Sequence, residues 1–202
     1  MHNESHENSI HGTLSLSEGN RKFGIWLFLS SELLIFIGLI TGLLLTRTGV
    51  IASGEKWPRI EELGIYLVSV NTFVLLASSL TVVLGIDAIK VNNQKGLFTY
   101  ILISALLGLA FLGGQAVEYN NLIFHEGHGF GDPFGSAFFT LTGLHGLHVF
   151  VGVLWALSIL WRIKSGVFKS NNYTTVEMFG LYWHFVDLVW IIIFTVVYLI
   201  NV

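Results

Sequence analysis

The stretch 181-LYWHFVDLVWIIIFTVVYLI-200 is apolar and long enough to cross a bilayer, yet it holds His184 and Asp187. About 20 apolar residues at 1.5 Å rise cover the roughly 30 Å hydrocarbon core. An ionisable side chain at that depth costs roughly 2.5–3.5 kcal/mol on insertion scales. The residues that compensate this cost must come from other parts of the chain or from a neighbour, so the reading widens to the rest of the sequence.

The chain has 202 residues, of which 53% are hydrophobic and 11% charged, against roughly 25% charged in ordinary soluble domains. Mean hydropathy is +0.70. The composition defines a polytopic, all-α membrane protein and leaves no loop large enough for a soluble domain. Zero cysteines exclude disulfides, thiolate metal sites and iron–sulfur clusters held by this chain. The formal net charge of −3 is made up of a few loop charges, and no nucleic-acid partner is expected.

Hydropathy places five transmembrane helices at about 23–46, 64–88, 97–120, 137–161 and 176–200. Residues 1–22 form a polar N-terminal tail carrying His2, His6 and His11, without the apolar core of a signal peptide. Pro58 and Pro133 are expected in loops. Arg21, Lys22, Lys90, Lys95, Arg162, Lys164 and Lys169 fall on the side of the N-terminus, and Arg47, Lys56 and Arg59 on the other. The positive-inside rule then puts the N-terminus inside and the C-terminus outside. Gly38 and Gly42 form a GxxxG on the first span, a pattern of close helix packing.

The spans carry the polar residues that need explanation. Glu32 lies about 14 Å into the first helix by helical rise. It is a candidate intramembrane carboxyl, open to use as a proton-relay group, a helix-packing hydrogen bond or a lipid-linked contact. His184 and Asp187, at i and i+3, share a face of the fifth helix about 12 and 17 Å in. If the first and fifth helices are adjacent, they form one polar cluster with Glu32. His145 and His148 in "TGLHGLHV" share a face of the fourth helix. Such a pair resembles half a metal site or a wall of a haem pocket, but its match in depth with His184 is poor, and packing is the favoured use. Gly143 and Gly146 flank the pair. Glu118 and Tyr119 end the third span as interfacial anchors, and Tyr182 and Trp183 add two hydrogen-bonding tips.

With these residues in view, "LYWHFVDLVWIIIFTVVYL", "TGLHGLHVFVG" and the "SEL" carboxylate closely resemble subunit III of the haem-copper terminal oxidases, from about residue 21 to 200. The long form of that family has seven helices, and this chain resembles the five-helix form. The resemblance implies a non-catalytic accessory subunit of an enzyme complex that reduces oxygen and pumps protons in aerobic respiration. It implies direct packing on subunit I, with subunit II and a small subunit IV as further partners, in the bacterial plasma membrane. Haems and copper are then expected in the partner subunits and none on this chain, with structural phospholipid as a bound component. Glu32 matches the family's carbodiimide-reactive carboxyl. Glu118, Tyr119, His145, His148, Tyr182, Trp183, His184 and Asp187 match its third-, fourth- and fifth-helix motifs and are read as a structural polar network.

Two donors are open, cytochrome c (favoured) and quinol. Readings of another class are an independent carrier or proton channel using Glu32 and Asp187, and a haem-binding protein using His145 and His148. A subunit-III-like protein of nitric oxide reductases is a further relative. Repeated halves and helices interrupted at midplane, which mark many carriers, are not visible in the sequence.

Overall fold

The computed structural model describes residues 2–58, 64–165, 168 and 173–200, with side chains described from Gly19 onward. Among the described residues there are five helices and no strand: α1 (His2–Ala52), α2 (Ile65–Lys90), α3 (Gln94–Phe124), α4 (Pro133–Lys164) and α5 (Thr174–Phe194), the last continuing into a π turn at Thr195–Leu199. Each is long and apolar enough to cross a membrane, α1 over Gly19–Ala52. The all-helical expectation holds. The helical backbone of α1 continues outward through the polar N-terminal segment to His2, while the side chains of His2, His6 and His11 lie outside the described residues.

Local chemistry sets the helix ends. Asp132 caps α4 by accepting from the Gly135 amide at 3.1 Å, and Pro133 occupies the first turn. There its missing N–H costs nothing and its fixed φ is already helical. Pro133 thus opens a helix where a loop was expected. Asn93 caps α3 through the Gly96 amide at 2.9 Å. Asn92 turns the chain between α2 and α3 at φ 58, a left-handed conformation that asparagine tolerates better than most residues.

α5 is central, packing on α1, α2 and α4, while α3 packs on α2 and α4, and α1 lies across α4 and α5. The largest buried side chains at the centre are Trp183 and Trp190. The Trp183 indole fills a slot that glycines on two other helices leave open. A Cβ at Gly108 would sit 2.8 Å from it, and one at Gly152 2.6 Å. Both are closer than real carbon contacts allow, so α3, α4 and α5 meet here only because these positions lack side chains. Gly146 likewise makes room for Gln115, whose Oε1 would lie 2.5 Å from an added Cβ.

Gly38 and Gly42 behave otherwise. An added Cβ at either would meet nothing within 4 Å, and both line an open groove with Pro133, Ser136 and Thr140 of α4. The GxxxG of α1 is therefore not a close-packing seam within this chain.

Polar contacts tie the helix ends into two opposite faces of the bundle. On one, Lys22 pairs with Glu177 at 2.9 Å, Gln94 Nε2 donates to the Phe168 carbonyl at 2.7 Å, and Arg162 stacks over the Phe168 ring at 4.9 Å. On the other, Arg47 donates to the Ile200 carbonyl at 3.3 Å and Trp57 meets Phe134 edge-to-face at 5.0 Å. Arg59 and Lys169 lie outside the described residues.

Candidate functional site: polar joints between helices

Glu32 projects from α1 toward α4, and its hydrogen-bond partner is His148, with Oε2 3.1 Å from Nε2. It is not joined to His184 or Asp187, so the cluster expected from sequence does not form. α1 crosses α4 as well as α5, and the α4 contact takes the carboxyl. Both side chains are largely enclosed, 15% exposed for Glu32 and 11% for His148.

The imidazole geometry limits where protons can be. His148 Nδ1 lies 2.8 Å from the Leu144 carbonyl, which can only accept, so Nδ1 carries a hydrogen. Neutral His148 then has a bare Nε2, which must receive a proton from Glu32 to make the observed contact. The alternative is an imidazolium facing a carboxylate. In both cases one proton lies between the two side chains.

The joint is braced on two sides. Phe36, one turn along α1, meets the His148 ring edge-to-face at 5.2 Å. From α5, Tyr182 donates its hydroxyl to the His148 carbonyl at 2.9 Å. Glu32, His148 and Tyr182 thus hold α1, α4 and α5 together.

His145, one turn earlier on α4, is fully buried and has no hydrogen-bond partner on either ring nitrogen. It sits in an aromatic box formed by Phe111 at 5.7 Å, Trp190 at 4.8 Å and Phe36 at 6.4 Å between ring centroids. His145 and His148 share a helix face, as the spacing implies, but have separate uses, one in the box and one on Glu32 and Leu144. Among the described residues no group of three or more His, Asp or Glu is placed to hold a metal ion.

The other expected network residues join α3 to α4, α3 to the turn after α5, and α2 to α5. Tyr119 meets the Thr142 hydroxyl at 2.8 Å and accepts from Gln115 at 3.1 Å, while Gln115 also donates to the Thr142 carbonyl at 2.7 Å. Glu118 is buried and accepts the Tyr198 hydroxyl, so it is an interhelical partner and not the interfacial anchor expected. Tyr198 lies in the π turn, a local widening that frequently marks functional positions. His184 meets Ser79 of α2 through Nδ1 at 2.6 Å. Ser79 also neighbours the Asp187 carboxyl, whose Oδ1 is buried without a partner.

Sequence reasoning missed the α2 side of these joints. Trp183 donates to Ser78 at 2.9 Å, Trp190 to Thr72 at 2.9 Å, and Asn71 to the Phe111 carbonyl at 2.9 Å. A signal was available: Asn71 and Thr72 recur seven positions later as Ser78 and Ser79, on one helix face. Uncharged polar side chains at such spacing inside a span are the residues that hydrogen-bond across membrane helices.

Fold and site together define an integral membrane bundle whose polar residues join helices. The sequence matches the family described as cytochrome c oxidase subunit III over residues 2–202. It is 39% identical over 184 residues to cytochrome c oxidase subunit 3 of Thermostichus vulcanus, covering 90% of this chain and 88% of that one. To the protein of the same name from Alkalihalophilus pseudofirmus it is 41% identical over 187 residues, covering 92% and 89%. To the probable quinol oxidase subunit 3 of Staphylococcus saprophyticus it is 36% identical over 186 residues, covering 91% of each. The chain belongs to the cytochrome c oxidase subunit III family. It is subunit III of a haem-copper oxidase, a multi-pass cell membrane protein that forms part of a respiratory complex with other subunits.

Proposed function

We propose that this subunit serves a cytochrome c oxidase, packs directly on the catalytic subunit I with subunit II and a small subunit IV nearby, and sustains proton uptake by that catalytic subunit. The haems and copper belong to the partners, and structural phospholipid fills part of the surface between them. Relatives named cytochrome c oxidase subunit 3 at 39–41% identity, against 36% for the quinol oxidase relative, favour cytochrome c as donor. The N-terminus is inside and the C-terminus outside, supported by the seven-to-three bias of Lys and Arg.

The observation that carries the proton role is the Glu32–His148 contact. A carboxyl and an imidazole sharing one proton can take up or release another with little movement of heavy atoms. The remaining joints, Glu118–Tyr198 and Ser79–His184 among them, fix the geometry in which that pair is held.

Purification in native lipid, with identification of the companions and of the reductant accepted, tests the assignment. A complex containing subunit I and a copper-bearing subunit II, reduced by cytochrome c, is the expected result. Reduction by quinol alone moves the chain to the quinol branch, and isolation without any oxidase subunit overturns the proposal. Because the chain has no cysteine, single thiols introduced at Ser53 and at Asn92 test orientation. Ser53 should react with an impermeant reagent from outside the cell, and Asn92 only after the membrane is opened.

A further inference from the structure

Ser79 of α2 stands beside two ionisable side chains of α5. Its Oγ lies 2.6 Å from His184 Nδ1, and the Asp187 carboxyl, one turn further along α5, neighbours the same hydroxyl. The preceding residue, Ser78, bonds back to the Leu75 carbonyl of its own helix at 2.6 Å; Ser79 turns to α5 instead. Asp187 is 7% exposed and its Oδ1 has no partner. It forms no ion pair among the described residues.

Depth and charge limit the states these groups can take. Asp187 is thirteen residues from Thr174, where α5 begins, so it lies about 20 Å along a helix that crosses the bilayer. An uncompensated carboxylate at that level is costly. The described charged side chains of α1 to α4 lie toward the ends of the spans, apart from Glu32 and Glu118, which are taken by His148 and Tyr198. On α2 the nearest cation, Lys90, pairs with Asp87 at 3.0 Å. Charge on Asp187 is therefore cancelled from within the trio, by a proton on its own carboxyl or by a proton on His184. Both arrangements hold one proton more than a carboxylate beside a neutral imidazole.

The hydroxyl connects the two arrangements. Ser79 has one hydrogen to give. When it donates to a bare His184 Nδ1, its oxygen can accept from protonated Asp187. When it donates to an Asp187 carboxylate, His184 Nδ1 carries a hydrogen and donates to Ser79. Between the two, a proton leaves the Asp187 carboxyl for Ser79 Oγ while the Ser79 hydrogen passes to Nδ1. Ser79 ends as a hydroxyl, Asp187 as a carboxylate and His184 as an imidazolium.

We infer that Asp187, Ser79 and His184 form a second one-proton site of this subunit, a carboxyl and an imidazole bridged by a hydroxyl that passes the proton between them. It joins α2 to α5, shares no residue with the Glu32–His148 pair of α1 and α4, and stands whether or not that pair serves proton uptake.

Infrared spectroscopy of the complete oxidase in native lipid counts the proton. The Asp187 carboxyl C=O band is the one that Asp187→Asn removes, and the His184 ring bands are those that His184→Gln removes from material with isotope-labelled histidine. If the Asn variant does not assemble, Asp187→Glu makes the assignment by shifting the carboxyl band. At neutral pH the two side chains together should carry one proton. His184→Gln, which cannot take it, should leave the Asp187 band at full height. Ser79→Ala should move that band to the position of an unbridged acid, and Ser79→Thr, which keeps the hydroxyl, should return it. An ionised Asp187 beside a neutral His184, or protons on both, overturns the one-proton site. Identical bands in wild type and Ser79→Ala overturn the hydroxyl bridge. Both negative results leave the oxidase assignment standing, since the companions of the chain and its reductant are read separately.

Discussion

Glu32 and His145 show how differently two buried ionisable side chains can be accommodated. Glu32 has a partner that needs its proton. Glu32→Gln keeps an amide that can donate to His148 Nε2, so the complex should assemble with near-native stability while losing the exchangeable proton. Proton uptake by the complex should fall. Glu32→Leu leaves His148 facing apolar surface and should cost about 1–3 kcal/mol of stability. Denaturation of the purified complex measures the second effect, and equal stability of the Gln and Leu variants would count against the shared-proton pair. His145 is the reverse case, a ring with no hydrogen bond to lose. His145→Phe should fit the aromatic box within about 1 kcal/mol of wild type, since replacing an unsatisfied polar group by an apolar one of similar shape is nearly neutral or stabilising. A large loss of stability there would mean that a hydrogen bond to His145 exists in the assembled complex.

At the scale of the helices, glycine positions separate into two kinds. Gly108 and Gly152 admit the Trp183 indole, so Gly152→Ala should destabilise the α3–α4–α5 junction by about 1–3 kcal/mol through overpacking. Gly38→Ala and Gly42→Ala project into open space and should leave the isolated chain unchanged by the same denaturation assay. The GxxxG spacing was visible in sequence, but spacing alone does not say whether a face meets another helix of the same chain. The joints followed the same logic. His184, Asp187, Glu118 and Tyr119 were recognisable as polar residues inside spans, while their partners Ser79, Tyr198 and Thr142 were ordinary residues whose importance comes from register across a helix interface.

For the molecule as a whole, the arrangement is uneven. α2 to α5 enclose Trp183 and Trp190 and most of the joints, whereas α1 rests on α4 and α5 and keeps Leu27, Leu34 and Leu45 more than half exposed. Regions with few packed contacts open first. Hydrogen exchange in detergent should therefore show α1 amides exchanging faster than those of α3 to α5 in the isolated subunit. In the complete oxidase the difference should shrink. Uniform protection of all five helices in the isolated subunit would contradict this account of α1.

Hydrophobic length and charge alone determined that this chain is a bundle of spanning helices, because a bilayer admits few other ways to satisfy a backbone. The motif residues on the fourth and fifth helices determined its family. Only tertiary structure decided that Glu32 pairs with His148 instead of His184 and that the α1 glycines face outward. Both outcomes depend on how α1 rotates as it crosses α4 and α5, and that rotation is set by shape complementarity between helices distant in sequence, which no single segment encodes.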